Sequence, residues 1–175
     1  EVLREEFGQG LTSEGVHILD GFTGTGTFIV RLLQSGLVTQ HDLARKYANE
    51  LHANEILLLA YYIAAVNIET TYAENAGAGE AAPFPGLVLT DTFQSYEDSD
   101  RDDLDIFPEN NERITRQRQL PITVIVGNPP YSVGQESAND NNQNVAYPQL
   151  DERIRRTYAA ESDATNKNSL YDSYI

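Results

Sequence analysis

Cysteine and methionine are both absent from the 175 residues of this chain. Without cysteine the chain can form no disulfide bond, no thiolate metal site and no cysteine nucleophile. Histidine is scarce as well. The only three, His17, His41 and His52, are spread too widely along the sequence to form a ligand cluster. We therefore expect no metal ion in the protein.

A long apolar run is also missing. No window approaches the roughly 18 consecutive apolar residues that a membrane-spanning helix needs, and the longest run, at 56–66, is interrupted by two tyrosines. The sequence thus predicts a soluble protein with no membrane partner. Hydrophobic residues make up 40% of the chain, which is enough for one well-formed core but too little for two ordinary domains.

Basic residues are few, since 12 Lys and Arg face 27 Asp and Glu and leave a net charge of −15. A field of that sign repels phosphate backbones and is unlike that of a typical nucleic-acid binder. The charge is unevenly placed, however. Eight of the acids fall within 97–112, which we interpret as a solvated excursion, and arginines cluster at 113–118 and 153–156.

Short apolar runs alternate with helical patterns along the chain. The runs predict four strands, at 16–19, 50–53, 87–89 and 122–126. The helical patterns lie at 1–11, 27–37, 40–47, 55–68, 150–158 and 169–175, and loops are predicted at 71–85 and 132–144. Because strands that alternate with helices form parallel sheets, we predict an α/β fold with a mainly parallel sheet and helices on both faces.

A glycine-rich turn at 20–28 joins the first predicted strand to the first helix after it. Open α/β sheets bind ligands at this position, where glycine lets the backbone approach the ligand and the helix start offers free N–H groups. A dinucleotide fingerprint would need glycine in place of Ile29, and a phosphate-binding loop would need lysine in place of Thr27. Both nucleotide-phosphate interpretations therefore fail.

The turn resembles the glycine-rich motif of S-adenosylmethionine-dependent methyltransferases that methylate amino groups, commonly Asp-x-Phe-x-Gly-x-Gly-x-Phe. Every fixed position of the motif is met, by Asp20, Phe22, Gly24, Gly26 and Phe28. Gly21 stands where the family often has proline. The resemblance implies a Rossmann-like methyltransferase fold and S-adenosylmethionine as cofactor. It also implies that the turn binds the cofactor through those five residues together with Gly21, Thr23 and Thr27.

A second motif, Asn128-Pro129-Pro130-Tyr131, follows the clearest strand of the sequence. Two prolines cannot continue a strand ladder, so the chain leaves the sheet here in a stiff shape. The Asn128 side-chain oxygen and a prolyl carbonyl can accept the two hydrogens of a planar amine and favour its electron-rich, pyramidal form. Tyr131 can stack on a base taken out of a duplex, a contact worth about 1–3 kcal/mol.

The tetrad looks like the catalytic motif of N6-adenine DNA methyltransferases, in which these four residues bind the flipped adenine. This resemblance implies DNA as the partner and adenine N6 as the methyl acceptor. The same tetrad is also similar to that of methyltransferases acting on guanine N2 in RNA and on glutamine in proteins. Those acceptors remain open, as does a non-catalytic binding or scaffolding role.

The family resemblance suggests further cofactor residues. An acid at the end of the second strand binds the ribose hydroxyls in these enzymes, and Glu55 fits that place, with Ile56 beside the adenine ring; Glu50 is the competing choice. After the third strand, Asp91, Thr92 and Phe93 match the residues that hold the adenine.

The resemblance covers nearly the whole chain and is strongest at 51–72 and 128–174, which look like the methylase part of large single-chain restriction–modification enzymes with a helicase. It implies that residues 1–175 form a cofactor-binding and catalytic core, truncated at the C-terminus, without a target-recognition domain. Helicase and nuclease domains in the same polypeptide and a location in the bacterial cytoplasm are further expectations. We expect the chain alone to bind DNA poorly, because of its charge.

Overall fold

The computed structural model describes residues 2–77, 82–97, 107–129 and 147–163. Pro130, Tyr131 and the predictions for 132–144 and 169–175 lie outside these residues. The chain divides into two compact units, one formed by Glu1–Thr92 and Asp102–Asn128 and the other by Phe93–Arg101 and Pro129–Ile175. No helix in the described residues is long and apolar enough to cross a membrane.

The first unit is built on a four-stranded sheet in which every pairing is parallel. Its strands are β1 His17–Asp20, β2 Leu51–Glu55, β3 Leu87–Leu89 and β4 Ile122–Val126, and their order across the sheet is β3-β2-β1-β4. Helices flank the sheet, so the predicted α/β, Rossmann-like fold is confirmed. β2 continues to Glu55, beyond its predicted end, and is buried at every position, as is typical of a parallel strand whose two faces are both covered.

The helices of this unit are α1 Val2–Phe7, α2 Thr27–Gln34, α3 Gln40–Arg45, α4 Leu58–Ala76 and α5 Pro108–Arg118. A single π-helical turn, Lys46–Glu50, joins α3 to β2. The prediction of a loop from residue 71 is wrong, because α4 continues to Ala76 and ends at Gly77, whose φ of 63° suits a helix C-terminus. The core packs α2 and α4 on the sheet and includes Ile18, Ile29, Leu33, Leu51, Ala53, Ala64, Ile68 and Leu87.

α5 begins within the acidic stretch at 97–112, which the sequence predicted to be a solvated excursion, and continues through the arginine cluster at 113–118. The helix is held to the exposed edge of β3 by Asn110, whose side-chain amide accepts from the Leu89 N–H and donates to the Leu89 carbonyl, both at 2.8 Å. Arg113 donates to the Leu87 carbonyl at 3.3 Å, and Arg116 to the Pro85 carbonyl at 3.0 Å. Arg113 and Arg116, which belong to the arginine cluster at 113–118, therefore help to fix α5 beside β3.

The first half of α4 is only partly packed. The buried residues of the whole helix are Ala64, Ile68 and Thr71. Near its start, Leu59 is 74% exposed and Tyr62 is 57% exposed. The nearly all-round apolar pattern of this helix is typical of a helix packed against a sheet, and α4 does contribute to the core. The pattern also favours Tyr61 and Tyr62 as core residues, which is wrong for Tyr62. Its neighbour Tyr61 is partly buried and does pack against the core.

Lys46 is completely buried at the start of the π-helical turn. Its Nζ donates to the carbonyls of Ser13 and Val16 and forms an ion pair with Glu50, all at 2.8 Å. The other oxygen of the Glu50 carboxylate accepts from the Gly15 N–H at 2.8 Å. Burial lowers the pKa of Lys46. Glu50 thus ties the π-helical turn to the loop before β1, at the N-terminal end of the sheet. The glycine-rich turn lies at the opposite end of the strands, so Glu50 no longer competes with Glu55 as the predicted ribose-binding residue.

Glu50→Ala is expected to lower the free energy of unfolding by about 3–5 kcal/mol, because it leaves the buried Lys46 ammonium without a carboxylate. Chemical denaturation of both proteins measures the loss. The matched control is Glu152→Ala, which removes a more exposed acid that pairs with Arg155 and Arg156. That change should cost no more than about 1 kcal/mol. Equal losses in the two variants would contradict a structural role for the Lys46–Glu50 pair.

The second unit contains α6 Pro148–Arg156 and α7 Tyr158–Glu161, together with a 3₁₀ turn, Phe93–Tyr96. The buried Glu97 carboxylate accepts from the N–H groups of Gln149 and Leu150 at 2.9 and 3.1 Å, which satisfies two of the free donors at the start of α6. α6 confirms the helix predicted at 150–158.

Candidate functional site

The order of the strands places a topological switch point beside β1. The chain passes from β1 outward through β2 and β3 on one side, and β4 then pairs with the opposite edge of β1. Ligands of open α/β sheets bind at such a point, in the crevice at the carboxyl ends of the strands. Asp20, the last residue of β1, stands opposite Val126, the last residue of β4. The glycine-rich turn and the residues Gly127 and Asn128 therefore follow neighbouring strand ends.

The glycine-rich turn is in direct contact with the end of β4 and lies close to Gly127, the residue that follows it. The Gly21 N–H donates to the Val126 carbonyl at 3.3 Å. A side chain added to Gly127 would place its Cβ 3.3 Å from Phe22 Cδ2 and 3.5 Å from Asp20 Oδ1. Glycine at 127 thus allows the chain to pass directly over the turn. Asn128, the first residue of the tetrad, follows this contact and is exposed.

The carboxylate of Asp20 is fully buried and only half satisfied. Its Oδ1 accepts from the Phe22 N–H at 3.2 Å, while Oδ2 has no hydrogen-bond partner in the part of the chain that the structure describes. Burial raises the pKa of Asp20 from 3.8 to about 6, and the nearby Glu55 adds to the rise. A buried carboxylate in this state favours a cationic or hydrogen-bond-donating ligand.

Thr23 fixes the shape of the turn. Its hydroxyl donates to the Asp20 carbonyl at 3.0 Å, and its N–H donates to the Asn54 carbonyl in β2 at 2.9 Å. Its own carbonyl accepts from the Gly26 N–H at 2.9 Å. Thr23 is only 4% exposed, so it supports the turn from within. Gly24 and Gly26 both adopt positive φ, at 56° and 89°, a conformation that glycine tolerates without steric cost.

Gly26→Ala is expected to destabilise the protein by roughly 2–4 kcal/mol. The alanine would meet two penalties, because its φ is left-handed and because its Cβ would lie 3.1 Å from Ile68 Cγ1 and 3.4 Å from the Ala64 backbone in α4. The matched control is Gly24→Ala, where φ is also positive but the space is open, and its cost should stay near 1 kcal/mol. Thermal or chemical unfolding checks the difference. Equal losses would show that close packing against α4 is not what requires Gly26.

Glu55 connects the end of β2 to the turn. Its Oε2 accepts from the Gly24 N–H at 2.7 Å, and its Oε1 accepts from the Leu57 N–H at 2.8 Å. Each carboxylate oxygen has a second lone pair, so these bonds leave capacity for hydroxyl donors. The side chain of Ile56, which follows Glu55, is 60% exposed and offers an apolar surface beside it.

Thr92 and Asn54 complete the surroundings of the turn. The Thr92 hydroxyl donates to the Gly21 carbonyl at 2.5 Å and lies 3.3 Å from Asn54 Nδ2, which donates to it. Sequence reasoning did not identify Asn54. The available signal was an amide side chain within a strand that is otherwise expected to be buried.

The structure brings most of the predicted cofactor residues together within the first unit. Hydrogen bonds within the turn join Asp20, Phe22, Thr23 and Gly26. Two more bonds tie Gly24 to Glu55 and Gly21 to Thr92. Thr27 and Phe28 start α2, where the Phe28 ring is 45% exposed, and Asp91 lies just after β3. Phe93 belongs to the second unit, as does Pro129.

A separate cavity of about 380 Å³ lies in the region of α4 and α5. It is lined by Leu58, Tyr61, Tyr62, Leu89, Phe107, Pro108, Glu109, Asn110 and Arg113. None of these belongs to the glycine-rich turn, so this cavity and the switch point are different places. Within the described residues, no group of three potential metal ligands is present.

The chain is similar to parts of several solved structures. It is 52% identical over 99% of its length to a nuclease-deletion mutant of the Type ISP restriction–modification enzyme LlaGI, solved with a DNA substrate mimic, with a TM-score of 0.87. It is also 52% identical over 99% of its length to the ATP-dependent Type ISP restriction–modification enzyme LlaBIII, solved bound to DNA, with a TM-score of 0.85.

A cryo-EM structure of a DrdV–DNA complex is similar too, at 42% identity over 94% of this chain and a TM-score of 0.79. The chain spans 15%, 12% and 16% of the LlaGI, LlaBIII and DrdV chains, respectively. No protein-family model and no curated protein matches the chain.

Proposed function

We propose that this chain is the cofactor-binding and catalytic part of an S-adenosylmethionine-dependent N6-adenine DNA methyltransferase that works in a restriction–modification system. The observation that carries the proposal is the contact between the turn at 20–28 and the strand end that leads into Asn128. Asn128, the first residue of the tetrad, thus follows a strand end that contacts the turn at the switch point of the sheet. A methyl donor on the turn and an amine held by the tetrad would then be neighbours.

The residues around the turn fit S-adenosylmethionine. Asp20 has a buried carboxylate oxygen without a partner in the described residues, which suits the ammonium group of the methionine moiety. Glu55 has lone pairs left for the ribose hydroxyls, and Ile56 offers an apolar surface to the adenine ring. When bound, the cofactor supplies an electrophilic methyl group on a sulfonium. Three acids near the turn, Asp20, Glu55 and Asp91, favour such a cation over nucleotide phosphates.

The tetrad prepares the acceptor. We assign to Asn128 and Pro129 the role of accepting the two hydrogens of adenine N6, which makes the nitrogen lone pair available for attack. Pro130 keeps this backbone stiff, and Tyr131 stacks on the extruded base. With the cofactor bound, its sulfonium would supply the methyl group to N6, and Asn128 and Pro129 would hold the amine, which would give up one proton to solvent. The chain thereby holds and orients the amine without a strong base.

DNA is the proposed partner because LlaGI, LlaBIII and DrdV, which resemble nearly the whole of this chain, were solved with DNA or a DNA mimic. The restriction–modification context is proposed from the same likeness to LlaGI and LlaBIII. The tetrad by itself selects a planar amine, and does not select the macromolecule that carries it.

The function is tested by incubating the complete protein with cofactor labelled in its methyl group and with duplex DNA, structured RNA or unfolded protein in parallel. We expect label in DNA only, and N6-methyladenine as the labelled nucleoside after digestion. Label in RNA or in glutamine side chains would overturn the choice of acceptor. No label in any acceptor, from a folded protein, would overturn the methyltransferase proposal itself.

A further inference from the structure

Gly21 is held through both of its backbone polar groups. Its N–H donates to the Val126 carbonyl of β4 at 3.3 Å, and its carbonyl accepts from the Thr92 hydroxyl at 2.5 Å. Gly21 follows Asp20 directly, so the orientation of the two peptide groups that flank it sets the direction in which the chain leaves β1. The buried Asp20 carboxylate and the N–H groups of the turn are therefore positioned by these two bonds.

Asn54 supports the turn at two points. Its carbonyl accepts from the Thr23 N–H at 2.9 Å, and its side-chain Nδ2 donates to the Thr92 hydroxyl at 3.3 Å. The second contact orients the hydroxyl, because a hydroxyl that accepts from Asn54 turns its own hydrogen toward the Gly21 carbonyl. A chain of side-chain bonds thus runs from β2 through Thr92 to the turn.

The fold gains little stability from the Asn54 side chain. The residue is only 4% exposed, and its Oδ1 has no hydrogen-bond partner in the described part of the chain. A buried polar atom without a partner costs about 1–3 kcal/mol, which an apolar residue at this position in a central strand would avoid. The amide is therefore better explained by what its Nδ2 does to Thr92 than by a contribution to the core.

We infer that Thr92 and Asn54 are positioning residues for the cofactor, which act through the Gly21 carbonyl and the shape of the turn. The inference rests on the proposed function and deepens it. It revises the expectation that Thr92 contacts the cofactor adenine, since its hydroxyl hydrogen is already engaged with Gly21. Thr92 and Asn54 then determine how well the turn is preorganised for S-adenosylmethionine, while the methyl-transfer chemistry belongs to the tetrad.

The test compares Thr92→Val with Thr92→Ser in the complete protein. Losing one hydrogen bond to a buried carbonyl should weaken S-adenosylmethionine binding by calorimetry about tenfold and raise its KM by a similar factor. We expect kcat to stay close to the wild-type value, whereas Tm should fall by no more than a few degrees, because the buried Gly21 carbonyl loses its partner. Thr92→Ser keeps the hydroxyl and should restore affinity to within about twofold. Thr123→Val removes an exposed hydroxyl of β4, which donates to Pro121, and is the control that should change nothing.

A second variant, Asn54→Leu, should also raise the KM for S-adenosylmethionine, but without lowering Tm. Unchanged affinity in Thr92→Val, or a lower Tm in both variants with affinity intact, would overturn the inference and leave a structural role. Failure of both variants to fold would also overturn the inference and leave a structural role for the two residues. A folded wild-type protein that does not bind S-adenosylmethionine would instead overturn the proposed function, and the inference with it.

Discussion

Asp20→Asn is expected to abolish binding of S-adenosylmethionine and, at the same time, to stabilise the unliganded protein at neutral pH. The carboxylate is buried, and its Oδ2 lacks a hydrogen-bond partner within the described residues, so its negative charge costs the empty protein free energy. Asparagine keeps an oxygen that can accept from the Phe22 N–H, but it removes the charge. The variant therefore separates what the fold prefers from what a cationic ligand requires.

The pH dependence has a defined sign. Because burial raises the pKa of Asp20 from 3.8 to about 6, the folded protein binds this proton more tightly than the unfolded chain does. The resulting stability is present below about pH 4 and is lost as the pH rises through 6, and it amounts to about 3 kcal/mol. The Asp20→Asn variant has no carboxyl group at this position, so it does not lose this stability as the pH rises. The unfolding free energy of the variant, relative to wild type, should thus increase by up to about 3 kcal/mol between pH 4 and pH 7.

Denaturant unfolding of both proteins across this pH range measures the stability difference, and calorimetric titration measures cofactor binding. In the wild type, affinity for S-adenosylmethionine should increase as the pH rises through 6, because the ionised carboxylate attracts the ammonium group. A pH-independent difference in stability would show that Asp20 does not titrate as the structure indicates. Undiminished cofactor binding by Asp20→Asn would remove this residue from the proposed site.

Asn128→Ala is expected to lower methyl transfer to DNA by a factor on the order of 10²–10³ while sparing cofactor binding. The side-chain oxygen is proposed to stabilise charge that develops on the adenine amine, and deletion of one such preorganised group in other enzymes has an effect of this size. Asn128 follows the contact of Gly127 with the turn. The hydrogen bonds described for the Asp20 and Glu55 carboxylates do not involve it. Its loss should therefore appear in kcat more than in the KM for the cofactor.

Single-turnover methylation with labelled cofactor, measured on the complete protein, tests the role of Asn128. Asn128→Asp is the matched variant, because it keeps an oxygen acceptor of the same reach and should retain more activity than alanine. Calorimetry on the same samples should give wild-type affinity for S-adenosylmethionine. Full methyl transfer by Asn128→Ala would refute the assignment, and a parallel loss of cofactor binding would place Asn128 in the cofactor site instead.

Sequence reasoning recovered the parts of the fold that depend on local pattern. The apolar runs gave all four strands of the sheet, and the glycine spacing at 20–28 located the turn after β1. Parallel pairing follows from the alternation of strands and helices, and it brings the ends of β1 and β4 together once their order is known. The contact between the turn and the end of β4 could thus be anticipated in kind, although not the role of Gly127 in permitting it.

The parts that escaped depend on partners distant in the sequence. α5 contains few apolar residues, and it is fixed by the Asn110 side chain, which satisfies the backbone of Leu89 at the edge of β3. The hydrogen bonds of Lys46 to the Ser13 and Val16 carbonyls and the support that Asn54 gives to the turn are likewise buried polar contacts, which no periodicity reveals. The apolar pattern of α4 predicts burial, yet the structure leaves the Leu59 side chain largely exposed.

A crystal structure of the protein with S-adenosylhomocysteine, the demethylated product of the cofactor, tests the central claim most directly. We predict density for the product over the turn at 20–28, at the carboxyl ends of β1 and β2, with its ammonium group at hydrogen-bond distance from Asp20 and its ribose at Glu55. Density in the cavity lined by Tyr61 and Phe107, or no density at the turn in crystals of protein saturated with the product, would contradict the account.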